Sequence, residues 1–467
     1  MINPNLSSSF ACQDENLLSD DEINSIIDEA VPLLQSLIRI KTVNPPGDEE
    51  PAAVFLNALL KNNHIETEII PTAPSRANVI ARIPGTGMKQ PVLLNSHLDV
   101  VPVSGQNWSV DPFQAEIIDG FIWGRGAMDC KYRVTVHTML MLLIKRKQIR
   151  LNRDLIFLAS CDEEMGGRFG LKYIADHYPE KIRSEYVLGE GGGGSVPATN
   201  GLCFTVGTSE RGSYKVTITI KGSTGHTSLV IKETAMEHLR KVLEAFSDPY
   251  IHFHLNESAR KTIEILAQTE ETEVKAALNA LLDPDSFWSG FERLRHASPS
   301  LAQWLETTMF TTIVPTGVDS GASSHVHPAN ITLTCNLRTL PGVSEETIFS
   351  KVRERLAGIP ELEIKFDSET EASESPFDTD LYKVIEKIYS EELPGAKLVP
   401  WVLSGSTDIR YLRKINSIAY GFFPSVMDLP FEVWNSLTHG ADERISINNL
   451  RWGIKILFKI LMEINKL

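Results

Sequence analysis

Apolar residues first become periodic after Asp20-Asp21-Glu22, beyond a Ser/Asn/Asp-rich stretch expected to be a frayed arm over the first twenty residues. Ile23, Ile26, Ile27, Ala30, Leu33, Leu34, Leu37 and Ile38 recur at intervals of three and four, which predicts an amphipathic helix with an acidic start. Asn44-Pro45-Pro46-Gly47 reads as a loop, Glu50–Asn62 as a second helix, and Glu66–Pro71 and Asn78–Ile83 as strands. Pro91–Asn95 and Asp154–Ser160 are short continuous apolar runs, the pattern of strands covered on both faces, and Arg133–Lys147 between them has helical spacing. This alternation predicts an α/β domain around a mixed, mostly parallel sheet.

From about Ser209 the pattern changes. Ser213–Lys221 alternates polar with apolar, as an antiparallel strand with one wet face does. A helix near Glu233–Phe246, strands near Thr311–Pro315 and Asn330–Arg338, a helix near Ser344–Ala357 and a strand at Leu362–Phe366 follow. The order βαββαβ defines a small α+β domain inserted into the first. The expected division is therefore 1–208 with 371–467, interrupted by 209–370, which itself carries a helical insertion at 249–308. Glu369–Pro376 reads as the return linker. The apolar and aromatic residues of the insertion (Phe287, Trp288, Phe291, Leu301, Trp304, Leu305, Phe310) are expected mainly to pack its own core, with an acyl-binding pocket as the alternative.

Composition narrows the function classes. Among 467 residues, 60 acidic against 45 basic side chains give a net charge of −15, which disfavours a nucleic-acid backbone or an anionic membrane as the main partner. The five cysteines (Cys12, Cys130, Cys161, Cys203, Cys335) form no CxxC pair and are too scattered for a disulfide scaffold. No secretory signal pattern opens the chain, and Val134–Ile144 is well short of the roughly 20 residues that a bilayer requires. A protein of a reducing, cytoplasmic compartment is expected.

Chemistry concentrates at the ends of the apolar strands, where an open α/β sheet binds its ligands. In His97-Leu98-Asp99, residues two apart point to the same side of an extended segment. Gly124-Arg125-Gly126-Ala127-Met128-Asp129 delivers an acid just before a helix. Asp162-Glu163-Glu164 puts three acids in a row, which repel one another unless cations or protons compensate. Glu190 follows the short run Tyr186–Leu188, and His439 lies in Thr438–Arg444. Any one of these alone is an ordinary polar turn or cap. Together, two histidines and several carboxylates without thiolates suit Zn, Co or Mn in a site with an open position. The Glu163–Glu164 pair can supply one ligand and one free general base.

HLDVVP (His97–Pro102), Trp108–Lys131, DEEMGG, LGEGG, GSTGHTS and HGADERI together resemble the M20 metallopeptidase family, in its carboxypeptidase S, N-acyl-amino-acid hydrolase and aminoacylase branch. The resemblance runs from about residue 25 to the C-terminus. It implies a zinc-peptidase-like catalytic domain with an inserted lid and dimerisation domain. It also implies two divalent cations, Zn or else Co or Mn, held by His97 and Glu190 at one position and Glu164 and His439 at the other, with Asp129 bridging. Glu163 is then the general base, Asp99 orients His97, and the Asp129–Cys130 peptide is cis. His226 steadies the oxyanion from the lid of a partner subunit, Arg338 holds the substrate carboxylate, and Gly405 lies in the substrate loop Ser404–Arg410.

Two positions depart from the family pattern. Lys131-Tyr132 stands where Lys-Gly is frequent, and His325-Val326-His327-Pro328 stands where many members have Asn-Val-Ile-Pro, so His325 occupies a substrate-side position. The expected substrate is a small N-acyl-amino acid or short peptide with a free carboxylate, and the expected assembly a homodimer through the lid. A deacylase of a biosynthetic intermediate, such as acetylornithine or succinyl-diaminopimelate, and an inactive binding homologue are the alternatives.

Overall fold

The computed structural model describes residues 18–197 and 203–466. Ser19 already caps the first helix, Asp20–Arg39: Glu22 N–H donates to its Oγ at 3.2 Å and its own N–H donates to the Glu22 carboxylate at 2.9 Å. The helix begins at Asp20, where the acidic triplet put it, and residues 1–17 of the expected arm, with Cys12, lie outside the described residues. The helix buries all eight periodic apolar residues named above.

Nine strands form the main sheet, in the order Glu66–Ala73, Arg76–Ile83, Leu155–Ser160, Val92–His97, Tyr186–Gly189, Ile418–Gly421, Cys203–Glu210 and Ser373–Glu374, with Lys397–Leu403 also paired to Cys203–Glu210. The central pairings are parallel, and antiparallel pairs flank them. Alternate residues of the central strands feed opposite layers. Leu94, Phe157 and Leu188 join a core built with the helices Asp20–Arg39, Lys131–Arg146, Asp380–Glu392 and Ile447–Lys466. Leu93, Ile156 and Val187 face Leu171–His177 and Ile409–Lys414 instead. No helix among the described residues is long and apolar enough to cross a membrane.

Parallel pairing sets where the chemistry emerges. His97 is in register with Ser160, and Val92–His97 also pairs in parallel with Tyr186–Gly189. His97, the Asp162–Glu164 turn and Glu190 therefore leave the sheet at one edge, as the strand-end rule requires.

The lid sheet has five strands rather than the four of a plain βαββαβ unit. Gly212–Lys221, Phe310–Asp319, Asn330–Thr339 and Leu362–Thr370 are joined at one edge by Tyr250–Phe253. That strand opens the insertion, and at four residues it is too short to show an alternation in the sequence. The segment expected to be a return linker is partly structured: its first strand runs to Thr370, and Ser373–Glu374 pairs with the main sheet.

The insertion helices Glu257–Thr269, Thr272–Leu281, Phe287–Ala297 and Pro299–Met309 do pack on one another through Phe287, Phe291, Leu301 and Leu305. The same apolar cluster takes in Val196, Cys203 and Val399 of the main-sheet segment. Thr262 Oγ1 donates to the Pro400 carbonyl, and Thr208 and Ser258 hydroxyls meet at 2.8 Å. The insertion is thus anchored to the sheet that carries the candidate site. Glu210, at the end of its strand beside the lid, accepts from Thr407 N–H at 3.1 Å and Thr407 Oγ1 at 2.7 Å, and pairs with Arg413 at 3.2 Å.

Candidate active site

Asp129 is the meeting point. One carboxylate oxygen, Oδ1, lies 3.1 Å from His97 Nε2, and the other, Oδ2, lies 3.3 Å from His439 Nε2. Glu190 Oε2 is 3.4 Å from His97 Nε2, and Glu164 Oε2 is 3.0 Å from His439 Nε2. Two ligand-like groups share Asp129, within each of which one donor atom per residue lies within 4.8 Å of the others: His97, Asp129, Cys130 and Glu190, and Asp129, Glu164 and His439. Cys130 is the addition, a buried thiol beside the first group, and the Asp129–Cys130 peptide is cis.

The donor chemistry fits a pair of divalent cations. Imidazole nitrogens and carboxylate oxygens converge from two sides on one shared carboxylate, and Glu164 Oε1 is buried with no hydrogen-bond partner. A buried carboxylate oxygen left unpaired costs several kcal/mol unless a cation or proton meets it. The titration behaviour agrees. Hydrogen bonds donated to the Asp129 and Glu164 carboxylates push His439 up to about 10, and burial raises Glu164 to about 7. Burial opposes ionisation of Asp129, but His439, His97 and Arg133 outweigh it and hold that carboxyl well below its ordinary range.

Glu163 belongs to neither group. Burial, reinforced by the Glu190 charge, holds it well above the ordinary carboxylate range, which makes it a ready proton acceptor. Its turn is strongly shaped. Asp162 sits at φ 66°, and its carboxylate accepts from Phe169 N–H at 2.9 Å and from Asn44 at 3.1 Å. Asp99, fully buried, accepts the N–H groups of Glu163 and Glu164, each at 3.1 Å, and the Asn44 amide at 2.9 Å. Its own carbonyl lies 3.0 Å from His97 Nδ1. Asp99 therefore ties the first histidine to the acidic turn. Gly47, at φ +88°, leaves room for the Arg76 guanidinium, which a Cβ would approach to 2.4 Å, and Arg76 bridges Glu49 and Asp162.

Three residues absent from the sequence-derived set prove central. Glu443 is fully buried and accepts from Arg125 at 2.6 Å, Gly126 N–H at 3.1 Å, Met128 N–H at 2.7 Å and Asp129 N–H at 2.8 Å, so it fixes the loop that presents Asp129. Arg133 pairs with Glu190 at 3.0 Å and approaches Asp129 at 3.8 Å. Lys131 is buried, its Nζ donating to the carbonyls of Leu37 at 2.9 Å and Ile40 at 2.7 Å, and burial pulls it down to about 7. Glu443 had a faint signal, an acid four residues after His439; the other two had none beyond lying beside Asp129.

A cavity of about 720 Å³ opens over the cluster, lined by Asp129, Glu163, Glu164, Glu190, His439 and the Ser404–Thr407 loop with Gly405. His226, His325 and Arg338 do not line it. The exposed His226 lies in the short lid pairing of Gly225–His226 with Val326–His327, and the exposed His325 in the turn just before it, their rings stacked with centroids 6.5 Å apart. Arg338 is half-buried on the lid sheet and donates to Asn336 at 2.9 Å.

Comparison with known proteins agrees with this architecture. Residues 93–463 match the model of peptidase family M20/M25/M40. The chain belongs to that family, and is a hydrolase. It is 28% identical over 407 residues to aminoacylase-1B of Rattus norvegicus, covering 85% of this chain and 86% of the relative. It is 28% identical over 365 residues to an N-fatty-acyl-amino acid synthase/hydrolase of Xenopus tropicalis, covering 76% and 69%. The crystal structure of an M20 family metallo-carboxypeptidase from Sulfolobus solfataricus superposes with a TM-score of 0.69 at 18% identity, covering 94% of this chain and all of that one.

Proposed function

We propose that this chain hydrolyses the amide bond of N-acyl-amino acids or short peptides bearing a free carboxylate, at a centre of two divalent cations. His97 and Glu190 would hold one, Glu164 and His439 the other, and Asp129 both, with Zn the best match to the donors and Co or Mn also suited. The observation that carries this reading is the approach of His97 and His439, from distant parts of the chain, to opposite oxygens of Asp129. The names of the rat and Xenopus relatives support the substrate class.

Bound there, the cations supply Lewis acidity that polarises the amide carbonyl and acidifies a water. Glu163 is placed to accept a proton from a water over the cluster and to return it to the leaving nitrogen. Asp99 keeps the His97 proton on Nδ1, leaving Nε2 free to ligate. The Ser404–Thr407 backbone, Gly405 included, offers donors to a polar substrate group. Arg338 and His325 bind on the substrate side from the lid, and His226 reaches the cavity of a partner subunit in a homodimer to steady the oxyanion.

The reading is tested by assaying Zn-, Co- and Mn-loaded protein for free amino acid released from a panel of N-acyl-amino acids and dipeptides. Selective turnover of acetylornithine or succinyl-diaminopimelate would replace it with the biosynthetic deacylase, and no turnover with two cations bound would leave a binding homologue. Arg338→Ala is expected to raise KM for carboxylate substrates by roughly tenfold to a hundredfold, the loss of a charge-assisted hydrogen bond. Substrates with an amidated C-terminus should not show that rise.

Loading should depend on pH. His439 and Glu164, standing near 10 and 7 without metal, must both lose protons to ligate. Cation affinity is therefore expected to increase as pH rises through neutrality, with protons released on binding. Calorimetric titration in buffers of different ionisation heat measures that release, and an affinity flat with pH would contradict the ligand assignment.

A further inference from the structure

The cavity does not end at the cation cluster. It continues from Glu190 along Gly191–Ser195 to a second wall that comes from the insertion. Ser300, Gln303, Trp304 and Thr307 line it from the helix Pro299–Met309, and their spacing of three, four and seven places them on one helical face. Opposite stand Trp401 and Leu403 of the strand Lys397–Leu403. The rings of Trp304 and Trp401 stack with centroids 5.9 Å apart and planes 15° apart, too close to admit a third ring between them. Both indoles are half-buried, and Trp401 Nε1 is a buried donor with no partner.

This arm differs in character from the rest of the cavity. Among the described residues that line it beyond Glu190, none is charged. Arg133, the one Lys or Arg among the described residues lining the cavity, is already committed to Glu190 and Asp129. A substrate carboxylate would lie there without a counter-charge, at a cost of several kcal/mol. The arm is open at its far end, where Ser300 and Gln303 are exposed, so it does not limit chain length to two carbons. It is also fixed to the metal-site side of the molecule, because the insertion helices pack on Val196, Cys203 and Val399.

An N-acyl-amino acid has one charged and one uncharged end. The arm offers the charged end no counter-charge, so the uncharged end is the one it accepts. We infer that the Trp304–Trp401 arm is the acyl subsite, that it receives an apolar acyl group longer than acetyl lying along the two indoles, and that Trp304 sets the preference for such groups. The inference rests on the amide-hydrolase reading and specifies its substrate class.

The test uses the cation-loaded full chain and the N-acetyl, N-hexanoyl and N-phenylacetyl derivatives of one L-amino acid, chosen as the one released fastest from its acetyl form. Wild-type kcat/KM should be higher for hexanoyl and phenylacetyl than for acetyl. Trp304→Ala should lower the hexanoyl-to-acetyl ratio roughly tenfold or more, the scale on which apolar pockets discriminate, and Trp304→Phe should recover most of it. Thr307→Trp, which fills the arm without removing an indole, should also depress that ratio and gives the answer should Trp304→Ala fail to fold. A wild-type preference for acetyl, or a ratio unmoved in a folded Trp304→Ala or Thr307→Trp protein, overturns the subsite while leaving amide hydrolysis standing. Should no acyl-amino acid or dipeptide of the wider panel release free amino acid, the amide-hydrolase reading falls, and the subsite with it.

Discussion

Glu163→Gln is expected to retain two cations per chain and to lose kcat by roughly 10²–10⁴-fold, the range measured for removing a general base. Retention follows from the geometry: Glu163 is absent from both ligand-like groups, and its backbone N–H, which the substitution keeps, makes the hydrogen bond to Asp99. Loss follows from chemistry, since the amide of Gln has the shape of the carboxylate without its proton affinity. KM should change little, because no binding group has been removed. Metal analysis beside steady-state kinetics checks both halves. A Glu163→Gln enzyme with wild-type kcat would assign the base elsewhere, and one that lost its cations would make Glu163 a ligand.

The second large effect is expected at Glu443, which belongs to neither ligand-like group but holds the Asp129 backbone. Glu443→Ala should cost about 3–5 kcal/mol, the usual consequence of leaving a buried charge without its partner. The stranded partner is Arg125, itself buried. Three loop N–H groups lose their acceptor at the same time, among them that of Asp129. Glu443→Gln should be little better. Each carboxylate oxygen accepts two of these donors, so the Gln –NH₂ group must face N–H groups whichever way the amide is turned. Both variants are expected to bind cations more weakly because Asp129 loses its support. Denaturant melts with and without added zinc measure the two effects, and wild-type stability with full loading in Glu443→Ala would refute the role.

Much of this was legible before any coordinates. The helix Glu50–Asn62 and the strand pair Val92–His97 and Leu155–Ser160 appear where period and apolar runs put them. Because parallel strands end together, residues listed at strand ends were already residues of one edge. His439 was less accessible to local reading: it joined the set only as one of several His and carboxylate clusters, and its pairing with Glu164 came from the resemblance. What the sequence did not disclose depends on contacts without local pattern. Glu443 reaches Asp129 N–H across 314 positions, and no period encodes such a hydrogen bond. Arg133 lies on a helix whose residues are mostly buried, so its one face toward Glu190 does not stand out. Within the insertion, Phe291, Leu305 and Trp304 are equivalent as apolar letters. Only packing distinguishes the first two, fully buried in the core, from the third, which turns to the cavity.

Glu210 shows how physical neighbours differ from sequence neighbours. The strand Cys203–Glu210 runs straight into the lid, yet its last carboxylate accepts from Thr407 in the Ser404–Thr407 loop that lines the cavity.

The distance between Asp129 and the residues that complete its surroundings also bears on synthesis. His439 and Glu443 both precede the last helix, Ile447–Lys466, which packs into the same core as the first. Asp129 precedes Glu443 by 314 positions, so a growing chain must extend past residue 443 before that carboxylate has its second imidazole neighbour and its loop has the Glu443 clamp. A chain stalled before residue 439 would present Asp129 with one imidazole neighbour instead of two.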